Sequence, residues 1–409
     1  MAAGALTILV AAPAQAQTDD GLWYYRDTGV AEAHATTTGE GITVAVIDSP
    51  INPDVPDLSD ADLTIHEPSF CDDDGDGIPE PATSTITDAQ HGTSMVALIA
   101  GDGDGVDGQP GVQGLAPAAR VLHYAWESGD IGTCAGLTPS GTAAAIDQAV
   151  ADGAHILNLA YGFNGATAED LAALREAIRA GVIVVTPAGK GTGPVSEWPA
   201  LVNGAVTVTG VTRSQELVAG FALHGPGLDV AAPAEDVRVL SGEDWRTYKT
   251  VSGTSLATAW TSGALALAWS AHPEATGNQM IQSLLRNTVS GEGELNRLDD
   301  YWGYGIVSVR RMLETDPTTY PDVNPLIVDA PDAQPPASAL LPAPEPTTEP
   351  TPTADPTPDP GPPTTAEPVD GPPLLPVALG LGVLTLTGTV AAVLLRRRAH
   401  RDTAPGHDR

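Results

Sequence analysis

From about residue 42 to residue 270, short apolar runs alternate with longer stretches of helical spacing. Ile42–Ile47 (ITVAVI) is apolar at odd and even positions alike, the pattern of a strand buried on both faces of a parallel sheet. His91–Ala100 has helical spacing, and Val121–Tyr124 reads as the next strand. Thr142–Asp152 predicts a helix that leads into a strand at His155–Leu159. Glu169–Ala180 predicts another helix, stopped by Gly181, before a buried strand at Val182–Thr186. Ala205–Thr209 continues the sheet, and Ser255–Trp269 is a helix apolar on every side, hence buried. This alternation predicts an α/β domain with a mostly parallel sheet covered by helices on both faces. No linker or internal repeat interrupts it, so about 300 residues read as one domain.

Two further apolar segments lie outside that pattern. Ala2–Ala12 runs into Ala14-Gln15-Ala16, a small-x-small cleavage pattern, which predicts a signal peptide over residues 1–16. Residues 17–40 then form an N-terminal extension. Toward the other end, residues 321–373 are rich in Pro, Thr and acids and too polar to bury a core. They predict an extended stalk of polyproline character, reaching at most about 160 Å. Leu374–Leu395 carries no charge over roughly 22 residues, enough for one membrane helix. Arg396-Arg397-Arg398 follows at once, and the positive-inside rule places the basic tail, 396–409, in the cytoplasm. The expectation is a single-pass cell-membrane protein with residues 17–373 outside.

Charge and cysteine content narrow the functions. Lys and Arg number 18 against 52 Asp and Glu, a net charge of −34. Such a surface repels phosphates and excludes nucleic acid as a partner. The two cysteines, Cys71 and Cys134, exclude a disulfide-dense scaffold and a four-cysteine zinc site. In an exported protein they predict a Cys71–Cys134 bridge, the alternative being two unpaired thiols. Asp72–Asp76 opens like a D-x-D-x-D-G calcium loop, but Thr83 stands where the closing Glu belongs. A structural calcium and a solvated acidic loop are both readings of it. No cofactor is required by any motif.

In sheets of this kind ligands gather beyond the carboxyl ends of the strands. Asp48 closes the first strand (VAVIDSP), His91 opens the next helix in HGTSMVALIAG, and Ser255 lies in VSGTSLATAW. Each alone has a plain structural reading as a strand-closing acid, a helix-terminal His or a capping Ser. Together, in the order Asp, His, Ser, they match one of the convergent catalytic triads. On these motifs the domain resembles the subtilase family, with further matches in GLAPAARVLHY, ILNLAYG and GYGIVSVRRML, from about Gly41 to Leu313. The resemblance implies a subtilisin-like three-layer fold over residues 41–320 and a serine endopeptidase acting on a protein or peptide. Ser255 would be the nucleophile, His91 the general base and Asp48 the group that orients it. Asn158, Leu159, Ala160, Tyr161 and Gly162 would form one substrate-binding wall. Ala188 and Gly189 would form the other, with a second substrate-pairing strand near Glu127–Gly129.

The departures from the family pattern matter as much. The chain reads VIVVTPAGKG, placing Lys190 where subtilases usually carry an Asn that donates to the oxyanion. The oxyanion position then falls to Lys190 and the backbone N–H of Ser255. Three readings stay open: a charged donor that works, a slowed enzyme, or a triad-bearing scaffold. Pro50, Ala259 and Leu98 replace residues usually smaller or different near the motifs, without removing a reacting group. Signal peptide, subtilase domain, stalk, single span and basic tail together resemble the mycosins, proteases associated with type VII secretion. That resemblance implies a secretion membrane complex as partner; the alternative is a catalytically weak scaffold that stabilises such a complex.

Overall fold

The computed structural model describes residues 20–72, 76–126, 141–162 and 165–341. The chain falls into two units, residues 1–345 and 346–409, and the second lies wholly outside the described residues. The expected signal peptide, membrane span 374–395 and basic tail are likewise outside them, as are Cys134 and Glu127–Gly129. Among the described residues no helix is long and apolar enough to cross a membrane.

The chain begins with two helical turns, α1 (Trp23–Arg26) and α2 (Val30–Ala33), and then enters β1 (Thr43–Asp48). After the short strand β2 (Leu63–Ile65) comes α3 (Gln90–Ala100). A small antiparallel pair, β3 (Asp102–Asp104) and β4 (Pro110–Gln113), precedes β5 (Arg120–Ala125). Two helix–strand units follow: α4 (Gly141–Ala151) into β6 (Ile156–Asn158), and α5 (Ala168–Arg179) into β7 (Ile183–Pro187). β8 (Val206–Val211) and β9 (Val230–Pro233) complete the large sheet. The hairpin β10 (Val237–Leu240) and β11 (Tyr248–Val251) leads to α6 (Thr254–Ser270), α7 (Gly277–Arg286), α8 (Val309–Glu314) and α9 (Ala337–Leu340).

Seven strands form one sheet in the order β2-β5-β1-β6-β7-β8-β9, every neighbouring pair parallel. Strand β1 lies between β5 and β6, where the winding reverses, and such a switch point opens a crevice at the carboxyl edge. The apolar doubling of the strands has a direct packing cause. Val44 and Val46 of β1 join the core beneath α3 and α6, while Ala45 and Ile47 join the opposite core beneath α4 and α5. Strand β7 divides in the same way, Ile183 and Val185 facing one core and Val184 the other. Helix α6 lies in the first core with Trp260 and Leu265 buried. Each such large side chain contributes about 1.5–3 kcal/mol of transfer free energy.

Both chain ends of the domain dock onto it. In the extension, the Tyr24 hydroxyl donates to the Gln113 carbonyl, and the Trp260 indole donates to the Tyr24 carbonyl. The first part of the expected stalk differs from the extended reading. Residues 322–341 fold back on the domain: Ala337 and Leu340 of α9 are buried, and Asn324 donates to the Gly204 carbonyl. Asn203 holds the same segment by donating to the Val328 and Pro335 carbonyls. Asn203 thus satisfies carbonyls that a proline-rich segment cannot pair with itself, while Asn324 of the segment satisfies one of the domain. Residues 322–341 therefore pack with the domain instead of standing off it as an extended stalk.

Cys71 is buried and is not a free thiol. In the neighbouring acidic loop, residues 73–75 lie outside the described residues. The flanking acids serve the turn itself, Asp72 accepting from the Gly77 N–H and Asp76 from the Ile78 N–H. Among the described residues no group of three or more His, Cys, Asp or Glu is placed to hold a metal ion.

Candidate active site

The carboxyl edge of the sheet gathers the side chains that carry chemistry. Asp48 is the last residue of β1 and only 2% exposed. His91 is the second residue of α3, with its side chain 47% exposed. Its Nδ1 lies 2.6 Å from Asp48 Oδ1. A carboxylate only accepts, so Nδ1 carries the proton and Nε2 is left as the ring's acceptor. The Ser49 N–H also donates to Asp48 Oδ1, at 2.8 Å, which fixes the carboxylate plane.

The approach of α3 to β1 depends on a missing side chain. A Cβ on Gly92 would stand 2.5 Å from the Ser49 carbonyl oxygen, so only glycine lets the helix start against that turn. The Gly92 N–H donates to Ser49 Oγ at 3.0 Å. Beneath the turn lies His123 of β5, fully buried, whose Nε2 donates to the Ser49 carbonyl at 3.1 Å. Burial lowers its pKa to about 4, so the ring is neutral near pH 7 and acts as a fixed donor. Sequence reasoning missed His123, which the strand pattern presents as one more buried position.

Ser255 is the second residue of α6, so its N–H lies in the first turn, where no intrahelical acceptor exists. The Ser255 hydroxyl donates to the Ala160 carbonyl at 2.8 Å, just past the end of β6. Thr254 donates to the Gly189 carbonyl at 3.2 Å, which ties the start of α6 to the exit of β7. Gly189 itself has φ +100°, a left-handed conformation favouring glycine, and the exposed Lys190 that follows lines the same cleft as Ser255.

His91, Ser255, Lys190, Gly189, Ala160, Tyr161 and Gly162 line a single cleft of about 470 Å³. Other expected wall residues lie elsewhere. Asn158 is fully buried and accepts from Ser262 on α6, Leu159 belongs to the core under α4 and α5, and Ala188 packs with Leu223 and Leu228. Their side chains hold the walls from behind and do not face the cleft. Glu197, which the sequence reading did not single out, lies between the walls. A buried carboxylate, an imidazole with one nitrogen left to accept, and a hydroxyl at a helix start are the equipment of general-base-assisted nucleophilic attack.

Comparison with known proteins identifies the family to which the chain belongs. The sequence profile of the subtilase family matches residues 39–305. The chain is 32% identical over 274 residues to M-protease of Shouchella clausii (strain KSM-K16), spanning 66% of this chain and 64% of that protein. It is equally identical to Subtilisin Savinase of Lederbergia lenta, of which the match spans 90%. Among solved structures it is similar to MycP1 from the ESX-1 type VII secretion system, with a TM-score of 0.58. That match has 22% identity and covers 74% of this chain and 88% of the other, a likeness of fold.

Proposed function

This chain belongs to the subtilase family of serine proteases, and from that premise we propose that it is a serine endopeptidase built on Asp48, His91 and Ser255. The observation that carries the reading is the 2.6 Å contact of His91 Nδ1 with Asp48, in the cleft that Ser255 also lines. The Ser255 hydroxyl leaves the Ala160 carbonyl and passes its proton to His91 Nε2 as Oγ bonds to the substrate carbonyl carbon. The C–N bond then breaks, and His91 returns the proton to the leaving amine. Water hydrolyses the acyl-enzyme by the same route. Asp48 stabilises the imidazolium in both halves.

The developing oxyanion is met by the Ser255 N–H and the Lys190 ammonium. A cation is a stronger electrostatic partner than an amide, but its flexible stem is less pre-organised. Lys190→Met lowers kcat by about 10²- to 10³-fold with little change in KM, while Lys190→Asn keeps most of the rate. Steady-state kinetics on a peptide substrate checks both. A neutral Lys190→Met would remove Lys190 from the reaction.

We assign the finer setting on the architecture: an exported domain tethered by stalk and span, working beside a type VII secretion membrane complex as a mycosin. A Cys71–Cys134 bridge belongs with this extracytoplasmic placement. The replacement of the usual Asn by Lys190 favours a second reading, a subtilase-fold scaffold with little turnover. A fluorophosphonate probe separates the two. Labelling of the wild type that is lost in Ser255→Ala supports the peptidase; a folded protein that takes no label supports the scaffold.

A further inference from the structure

Gly162 and Gly189 come from the segments that follow β6 and β7, and one carboxylate reaches both. A Cβ on Gly162 would stand 2.6 Å from Glu197 Oε2, and one on Gly189 would stand 2.9 Å from the same atom. The carboxylate therefore sits in the gap that two side-chain-free wall positions leave open. Leu223 is the next neighbour of the Gly189 Cβ position, its Cδ1 3.2 Å away. Glu197 is half-buried, and among the described residues its carboxylate makes no hydrogen bond or ion pair. Lys190 lines the same cleft but lies beyond the 4.0 Å of an ion pair with it. The third fixed charge of the lining, Asp88, is a second acid and is held by the Ser84 hydroxyl at 2.7 Å. The cleft thus carries an excess of negative charge within a chain of net charge −34, a field that draws cationic side chains.

We propose that Glu197 is the specificity-determining floor of the pocket for the residue before the scissile bond, and that it selects lysine or arginine there. The proposal rests on the peptidase reading above, since that reading places the scissile carbonyl at Ser255. A side chain entering between Gly162 and Gly189 meets the carboxylate between them. An arginine or lysine supplies the donors that Glu197 lacks, whereas an apolar or acidic side chain leaves the half-buried carboxylate unpaired or repelled. The natural substrates are accordingly polypeptides cut after a basic residue.

The test uses the full chain and paired fluorogenic peptides that differ only in arginine or its neutral isostere citrulline before the scissile bond. The wild type favours arginine by about 10- to 100-fold in kcat/KM, the worth of a hydrogen bond between charged groups. Glu197→Gln brings that ratio to within about threefold, and Glu197→Arg favours glutamate over glutamine in a second pair. Circular dichroism establishes that both variants are folded. A second measurement is independent of turnover: calorimetric binding of product peptides ending in arginine or citrulline to the Ser255→Ala variant, where the same preference is expected. Fluorophosphonate labelling of Ser255 with equal cleavage of both peptides overturns the pocket assignment and leaves the peptidase standing. Absence of labelling overturns the peptidase, and the binding ratio still decides whether Glu197 selects a basic residue.

Discussion

Replacing His91 by alanine lowers kcat for peptide hydrolysis by about 10⁶-fold, with KM close to that of the wild type. The size follows from the arrangement of the cleft. Ser255 donates to the Ala160 carbonyl, an acceptor that cannot carry the proton away. The imidazole, held with its proton on Nδ1 by Asp48, is the base that can. Without it the hydroxyl attacks at its ordinary, very low nucleophilicity. The residual rate comes from substrate binding and the oxyanion donors, and Ser255→Ala leaves the same residue of activity. Because the two residues act as a unit, the double variant is scarcely slower than either single one. Single-turnover kinetics on a good peptide substrate checks this; a loss of only tenfold in His91→Ala would place the base elsewhere.

Asp48→Asn is expected to lower kcat by about 10⁴-fold while the fold persists. Asp48 Oδ1 accepts from both His91 Nδ1 and the Ser49 N–H. An asparagine with its oxygen in that place keeps both bonds but carries no charge to stabilise the imidazolium. It also puts an NH₂ where Asp48 Oδ2 is buried without a hydrogen-bond partner, at a cost of about 1–3 kcal/mol. The flipped amide is no better, since it faces two N–H donors and favours the other imidazole tautomer, whose Nε2 cannot take the Ser255 proton. A pH–rate profile separates this from a general loss of folding. The variant gains rate as pH rises, because external hydroxide substitutes for the missing base, whereas an unfolded protein stays inactive throughout.

Much of the architecture was legible in the sequence because a strand buried on both faces must be apolar at consecutive positions. The runs at residues 42–47, 121–124, 155–159, 182–186 and 205–209 all fall on strands of the large sheet, with ends shifted by a residue or two. The short edge strand β2 was missed; its burial pattern is only partial, so it carries no continuous apolar run. Helix α7 was missed as well, although Thr276 and Gln279 form a reciprocal capping box whose T-x-x-Q spacing is visible in the sequence. The stretch 322–341 misled because composition reports how much apolar surface a segment owns, not what neighbouring surface it can join. Buried Ala337 and Leu340 dock it, together with hydrogen bonds that include those of Asn203, Asn324, Gln282 and Arg179.

By itself the sequence determined most strands of the large sheet and the helices that cover it, and that an acid, a histidine and a serine stand at ends of those elements. Local apolar periodicity and short motifs carry that information, since each depends on neighbours a few residues away. Tertiary structure alone decided which residues of a wall segment line the cleft. Ala160, Tyr161 and Gly162 line it, while Asn158, Leu159 and Ala188 turn into the cores. It also decided that His123 supports the Ser49 turn and that Glu197 lies between two glycines. These placements join residues tens of positions apart, and they are set by how strands and helices cross in space, which no local pattern records.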